Sequence, residues 1–378
     1  MTSRYPTIAP DLLALFSARG ANPVDVAVLQ PADPFLDMAG EDLRRRIFLT
    51  ESETGASLCL RPEFTIPVCL DHIASQAGTP RRYSYLGEVF RQRREGGNEF
   101  FQAGIEDLGD RDAPAADARS IADAHALLAL ALPGVPLTVT LGDQSIFEAV
   151  MAALGLPRGW RMRLARAFGS ADQLAAALAD LANPPKNGAL PEPVAVLVAD
   201  GDLDGLAAHI AAGMTEAGLS PTAGRTPQDI ARRLVEKAEL RSVRLSSEAF
   251  EALKSFLAIH VQLDAAAAAL EGFAGSAGLS LGSALANFSE RVDAVAAQGL
   301  SPAAIRYDAA FGRPLDYYTG LVFEISAGSP SSGPSARPLA GGGRYDRLLT
   351  LLGARDRIPG VGFSVWLDRI EALRGEAA

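Results

Sequence analysis

Apolar residues recur along this chain with two different periods, and the change between them predicts its elements. Leu12, Leu13 and Phe16, with Asp11 before them and Gly20 after, fit a helix from Ala9 to Arg19. Val24 to Leu29 reads as a strand broken by Pro31–Pro34. Phe35 to Ile47 reads as one short amphipathic helix with Arg44, Arg45 and Arg46 on its wet side. Phe48 to Leu60 predicts a hairpin, and Ile66 to Ala77 the helix after it. Arg82–Arg91 and Glu99–Leu108 alternate as an antiparallel pair around a tip holding Gly96 and Gly97, both expected at positive φ. That pairing puts Gln102, Gly104 and Glu106 on one face. A helix over Ala115–Ala131 and a strand over Leu137–Leu141 follow.

From Ile146 to about Leu300 the pattern is alanine- and leucine-rich. Helices are expected near 146–155, 158–182, 203–217, 227–239, 246–271 and 283–298, with one strand pattern at Val194–Val198 and a break at Asn183–Pro193. Strand patterns resume at Ile305. Leu321, Phe323 and Ile325 alternate as a half-buried strand, and Ser326–Pro338 is a low-complexity loop. Ala340–Asp346 leads into a helix beginning at Arg347, and Gly360–Ile370 runs into a helix carrying Arg369. The chain thus divides into a mixed core, 1–145 with 300–378, and a helical insertion, 146–299.

Composition narrows the function classes. Residues of hydrophobic type make up 48% of the chain and charged ones 21%, enough to bury a large core. A net charge of −10 provides no global field for nucleic acid or an anionic membrane. Cys59 and Cys69 are too few for a disulfide framework and sit among apolar neighbours, as buried free thiols do. His72, His125, His209 and His260 have no metal-ligand spacing, so no metal or cofactor is expected. No secretory leader and no apolar run of membrane-spanning length is seen, so a soluble cytoplasmic protein with no membrane partner is expected.

Candidate chemistry lies in four short elements that carry glutamate or arginine at strand ends, with glycine in all but the first: LRPEFT (60–65), FRQRREGGNEFFQAGIE (90–106), GRPLDYYTG (312–320) and AGGGRYD (340–346). Arg313 can fork onto a carboxylate or phosphate, and Tyr317 and Tyr318 can donate to or accept from a ring nitrogen. Glu106, in an apolar strand, needs a cationic or hydrogen-bonding partner, because an unpaired carboxylate is costly to bury.

Taken in order, LRPE-x-T, FR…FQ-x-G-x-E, LDYYTG-x-VFE, GGGRYD and the terminal GFS…DR resemble the histidyl-tRNA synthetases, a class II aminoacyl-tRNA synthetase family. The likeness covers roughly 5–145 and 300–370. It implies an α+β fold, an antiparallel sheet flanked by helices, and a dimer. By the same resemblance Glu63, Thr65 and Gln102 hold the α-amino group of histidine, Glu106 and Tyr318 grip its imidazole, and Tyr317 lines the same pocket. Arg91 and Arg313 match arginines near the amino-acid carboxylate and the ATP α-phosphate, and Arg369 matches an ATP-binding arginine.

Departures from that pattern redirect the expectation. The synthetase FR-x-E has Arg93 where its glutamate helps hold the adenine end of ATP, the loop after it is short, and Pro314 follows Arg313. No anticodon-binding domain follows Arg369, which is nine residues from the end of the sequence. A kept histidine pocket with eroded ATP and tRNA recognition resembles the synthetase-like regulatory subunits of ATP phosphoribosyltransferase. This implies a non-catalytic chain with no tRNA partner. It would pair with a short-form catalytic subunit, as a homodimer within a hetero-oligomer, with L-histidine as inhibiting effector. Arg91 and Arg369 would then be a vestigial nucleotide site. The alternative is an enzyme that still makes histidyl-adenylate.

Overall fold

The computed structural model describes residues 5–38, 40–94, 96–183, 191–217, 226–242, 245–328 and 337–376. Its strands, numbered in chain order, are β1 Asn22–Pro23, β2 Leu29–Pro31, β3 Leu49–Glu51, β4 Ser57–Leu60, β5 Arg81–Phe90 and β6 Glu99–Leu108, then β7 Leu137–Asp143, β8 His260–Gln262, β9 Ile305–Asp308, β10 Leu321–Ala327, β11 Ala340–Arg344 and β12 Gly360–Trp366. Nine form one sheet in the order β1-β5-β6-β12-β11-β10-β7-β9-β8, antiparallel except for β1 with β5 and β7 with β9. A small sheet, β2-β4-β3, stands apart.

Alternation decides what each sheet face does. Ala103, Ile105, Leu321, Phe323, Ile325, Phe363 and Val365 point into a core filled by the helix Ala113–Ala131 and by residues after position 144, among them Phe147, Trp160, Phe256, Phe273 and Phe288. The residues between them face the other way, where Phe64, Tyr85, Tyr317, Tyr318, Tyr345 and Trp366 form a second cluster. In the strand expected to be half-buried, Leu321, Phe323 and Ile325 are fully covered, while on the other face Val322 is covered and Glu324 and Ser326 only partly so.

An ionic network buried inside the main core joins its far-separated parts. Arg291, on the helix Gly282–Ala297, donates from Nε to Asp117 Oδ2 at 2.7 Å and from Nη1 to Asp143 Oδ2. Arg344 at the end of β11 bonds Asp117 Oδ1 from Nε at 2.8 Å and Asp346 from Nη1 at 2.8 Å. Asp117 and Asp143 thus share their burial cost with two fixed guanidinium forks.

Several sequence expectations are corrected. Residues 24–28 are not strand; short strands lie on either side of them. The helix expected over Phe35–Ile47 is two, Asp33–Met38 and Gly40–Arg44, with Gly40 at φ +74° between them. Val194–Val198 lies in the helix Glu192–Ala199, because a short apolar run fits either period. The helix expected over 158–182 is broken at Gly169, with φ +115°, and restarts where Ser170 Oγ accepts from Gln173 N. That over 246–271 is interrupted by β8, which adds to the sheet edge beside β9. At the 96–97 tip Gly96 has φ +81°, but Gly97 is not left-handed. The expected hairpin, the β5–β6 pair and the helix at 113–131 are present. Most of the low-complexity loop and of the 183–193 break lies outside the described residues. Cys59 and Cys69 are buried free thiols, as expected. Among the described residues no helix is long and apolar enough to cross a membrane.

Candidate functional site

A cavity of about 230 Å³ opens on the second face of the sheet, over β6, β12, β11 and β10. The register explains why there is space. Gly362 stands opposite Glu106, and Gly341 opposite both Glu324 and Ser364. A Cβ on Gly362 would lie 1.8 Å from Glu106 Oε2, and one on Gly341 would lie 2.7 Å from the Arg313 guanidinium carbon. Glycine in these central strands lets two charged side chains lie flat against backbone.

Part of the cavity wall is made of acceptor groups. Glu63 precedes the helix Thr65–Ala74 and accepts from Thr65 N at 2.6 Å and Ile66 N at 2.9 Å, a capping role. Burial pushes the Glu63 carboxyl up, while the two amides and the nearby Arg91 oppose that. Gln102 is 1% exposed, and its Oε1 has no hydrogen-bond partner among the described residues. A buried acceptor left open on a cavity wall is a ready site for a donor on a ligand. Beneath them Glu106 accepts from Thr65 Oγ1 at 2.7 Å, from the Tyr345 hydroxyl at short range and from the Tyr85 hydroxyl at 3.4 Å. Burial raises the Glu106 carboxyl to about 8, opposed by hydroxyl donation from Tyr345 and Thr65. Burial therefore favours its protonated form.

Cationic and aromatic groups also line the cavity. Arg313 Nη1 donates to the Tyr318 hydroxyl at 2.7 Å, and Nε to Glu324 Oε1 at 3.3 Å. Burial works against the Arg313 charge, but Tyr318 and Glu324 more than offset it and hold the guanidinium protonated. Tyr317 and Tyr318 are each 4% exposed, with rings 5.0 Å apart, and both line the cavity. Arg91 Nε donates to Pro62 O at 2.6 Å, and burial lowers its guanidinium to about 10.

The outer rim differs from the inner walls. Arg93 places its guanidinium carbon 3.4 Å from the Phe100 ring centroid and pairs with Asp368 at 3.0 Å, so it covers one ring face. Arg369 lies 4.5 Å from the Trp366 ring centroid and donates to Pro338 O.

The structure thus brings together every site residue inferred from the sequence. Glu63, Thr65, Arg91, Gln102, Arg313, Tyr317, Tyr318 and Arg369 line the cavity, and Glu106 lies directly below it through Thr65. Sequence reasoning missed Tyr345, Tyr85, Glu324 and Ser364. Tyr345 and Glu324 sit inside the AGGGRYD and VFE stretches already singled out, so their motifs were signals. Tyr85, whose hydroxyl lies 2.7 Å from Ser364 Oγ, gave none beyond strand alternation. Arg61, in LRPEFT, faces away and clamps backbone, donating to Glu88 O at 2.7 Å with its guanidinium on Phe64. Among the described residues no group of His, Cys, Asp and Glu is placed to hold a metal ion.

The chain is similar to known proteins. The histidyl-tRNA synthetase family model matches residues 2–370. The chain is 77% identical, over the full length of both, to an ATP phosphoribosyltransferase regulatory subunit of Mesorhizobium japonicum. It is 64% identical to the subunit so named in Chelativorans sp., again over all of both chains. Among solved structures it resembles an ATP phosphoribosyltransferase regulatory subunit/histidyl-tRNA synthetase from Bacillus halodurans, with TM-score 0.63 and 20% identity over 99% of this chain and 82% of that one. It also resembles histidyl-tRNA synthetase from Nostoc sp., with TM-score 0.64 and 16% identity over 98% of this chain and 71% of that one. At those identities the likeness concerns the fold, which is the class II synthetase type. The chain belongs to the histidyl-tRNA synthetase family, in its branch of ATP phosphoribosyltransferase regulatory subunits.

Proposed function

We propose that this regulatory subunit senses L-histidine in the cavity above Glu106 and transmits its occupancy to a short-form catalytic subunit. The partner joins ATP to phosphoribosyl pyrophosphate in the first step of histidine biosynthesis, so the complex is a glycosyltransferase. The present chain activates it without catalysing. It works in the cytoplasm as a homodimer within the hetero-oligomer and takes no tRNA; residues 146–299 are an insertion in the synthetase-like core.

The observation that carries this reading is the set of charged and polar groups gathered around one small cavity. Glu63 and the unpartnered Gln102 Oε1 suit an α-ammonium, and Arg91 with Arg313 suits a carboxylate. Tyr318 lines the cavity and Glu106 is bonded to its wall through Thr65 and Tyr345, and on this reading the two serve the imidazole nitrogens. The volume of about 230 Å³ is below the ~300–1,000 Å³ usual for drug-sized ligands and suits one amino acid. Histidine inhibits by binding one conformation of the complex more tightly than another, a coupling of about 1–3 kcal/mol in typical cases.

Calorimetric titration of histidine into the chain, alone and with its catalytic subunit, tests the proposal. Saturable binding is expected, and Glu106→Ala should abolish inhibition while leaving activation of the partner intact. No binding in either state would overturn the sensor reading.

A second reading, formation of histidyl-adenylate, is favoured by Arg91 and Arg369 on the cavity wall. Arg93 opposes it, being paired with Asp368 over the Phe100 ring. Histidine-dependent ATP–pyrophosphate exchange above background would revive it.

A further inference from the structure

Behind the segment Arg313–Tyr317 lies a second cavity, of about 490 Å³, which shares Arg313, Leu315 and Tyr317 with the first as a common wall. Its far side is the helix Arg158–Ala167. Arg158, Arg161, Met162, Ala165 and Arg166 line it, spaced at the three- and four-residue steps that place side chains on one helix face. Arg163, on another face, is paired with Asp180, but Arg158, Arg161 and Arg166 have no carboxylate partner among the described residues. Arg347 adds a fourth guanidinium. The acidic residues on the wall are fewer. Glu148 is held by Gln144 Nε2 at 3.1 Å and lies 3.7 Å from Arg347, and Asp316 has a partner of its own.

In a chain of net charge −10, such a concentration of guanidinium groups around a concavity is a local reversal of field. Exposed arginines on a flat surface would be ordinary. Here they surround a floor that includes Met162, Phe168 and Leu315. Guanidinium forks match phosphate oxygens, and an apolar floor matches the face of a base or sugar.

We propose that this cavity binds a phosphorylated small molecule of the nucleotide class, distinct from the amino-acid cavity and independent of what that cavity takes. Arg158, Arg161 and Arg166 hold its phosphates, and the apolar floor holds its organic part. The shared wall couples the two cavities: a ligand that fixes residues 313–317 from one side alters the affinity on the other, reciprocally.

The test is calorimetric titration of the whole chain with ATP and with inorganic pyrophosphate, and with sulfate at matched ionic strength. Wild type is compared with Arg161→Ser/Arg166→Ser and with Arg369→Ser. Among the described residues the helix arginines on the cavity wall have no carboxylate partners to leave behind, so unchanged thermal unfolding of the double variant checks that it is folded. Saturable binding of ATP or pyrophosphate is expected, and each guanidinium removed in the double variant should weaken it by about tenfold or more. Binding should persist in Arg369→Ser. Three outcomes overturn the proposal: no saturation, sulfate binding equally well, or loss in Arg369→Ser with retention in the double variant. A double variant that binds nucleotide normally but fails to activate the catalytic subunit also overturns it and makes the arginine face a protein-docking surface.

Discussion

Thr65 donates its hydroxyl to Glu106 Oε1 at 2.7 Å, so the residue that begins one helix is bonded to a carboxylate projecting from the middle of the sheet. Glu106 is 1% exposed and held among hydroxyl groups, with no ion-pair partner among the described residues. A carboxyl so placed keeps its proton rather than its charge.

That proton makes stability depend on pH. Folding raises the Glu106 pKa from 4.5 to about 8, so the folded chain binds the proton more tightly than the unfolded chain. Its contribution is fully present below about pH 4.5 and is lost as pH rises toward about 8. Glu106→Gln, uncharged throughout, should therefore gain on wild type as pH rises, by a few degrees in Tm between pH 5 and pH 9. Thermal unfolding across that range measures it, and a constant difference between the two proteins would refute the buried-acid assignment.

Glu63 and Gln102 both face the proposed ammonium position, yet their substitutions should separate. Glu63 caps a helix through Thr65 N and Ile66 N, so Glu63→Ala should cost about 1–2 kcal/mol of stability as well as histidine binding. Gln102 Oε1 bonds no other group among the described residues, so Gln102→Ala should weaken binding with less loss of Tm. Denaturation and calorimetry on the same two variants check this. Equal destabilisation would mean that Gln102 has a structural role.

Much of the site was legible in the sequence because its residues lie in short motifs whose strand register can be read by alternation. Gln102, Gly104 and Glu106 share a face as that rule requires. The empty space itself was not legible. It depends on Gly341 and Gly362 standing beside charged groups from other strands, which a triple glycine in isolation does not announce. Nor was the role of Arg93, since its partners Phe100 and Asp368 are seven and 275 residues away. Among the helices, breaks were missed where a single residue outside the hydrophobic period, such as Gly169, ends an element.

Arg291 ties the helix Gly282–Ala297 to Asp117 and Asp143, both fully buried. Removing it leaves two carboxylates without that charge, although Arg344 still reaches Asp117. Arg291→Met should lose about 3–5 kcal/mol, the usual cost of breaking a buried pair. Histidine affinity per folded molecule should stay unchanged, because the network lies on the other side of the sheet from the cavity. Chemical denaturation followed by calorimetry at a temperature where the variant is folded distinguishes the two effects. A loss of affinity in the folded variant would mean that this network positions the site.

Gly169 lies against the backbone of Arg313, and their closeness offers a test of how the cavity wall is held. A Cβ there would sit 2.5 Å from Arg313 C and 2.7 Å from Arg313 N, at a φ of +115°. Gly169→Ala must therefore bear the left-handed backbone cost, about 1–2 kcal/mol, and also displace Arg313. Gly201, at φ +68° with nothing within 4 Å of its would-be Cβ, provides the control that bears only the backbone cost. Both variants should unfold at lower temperature. Only Gly169→Ala should bind histidine more weakly, by about tenfold if the displaced Arg313 gives up one charge-assisted hydrogen bond to the ligand. If calorimetry finds the two variants equal in affinity, the wall at Arg313 is not set by its packing against Gly169.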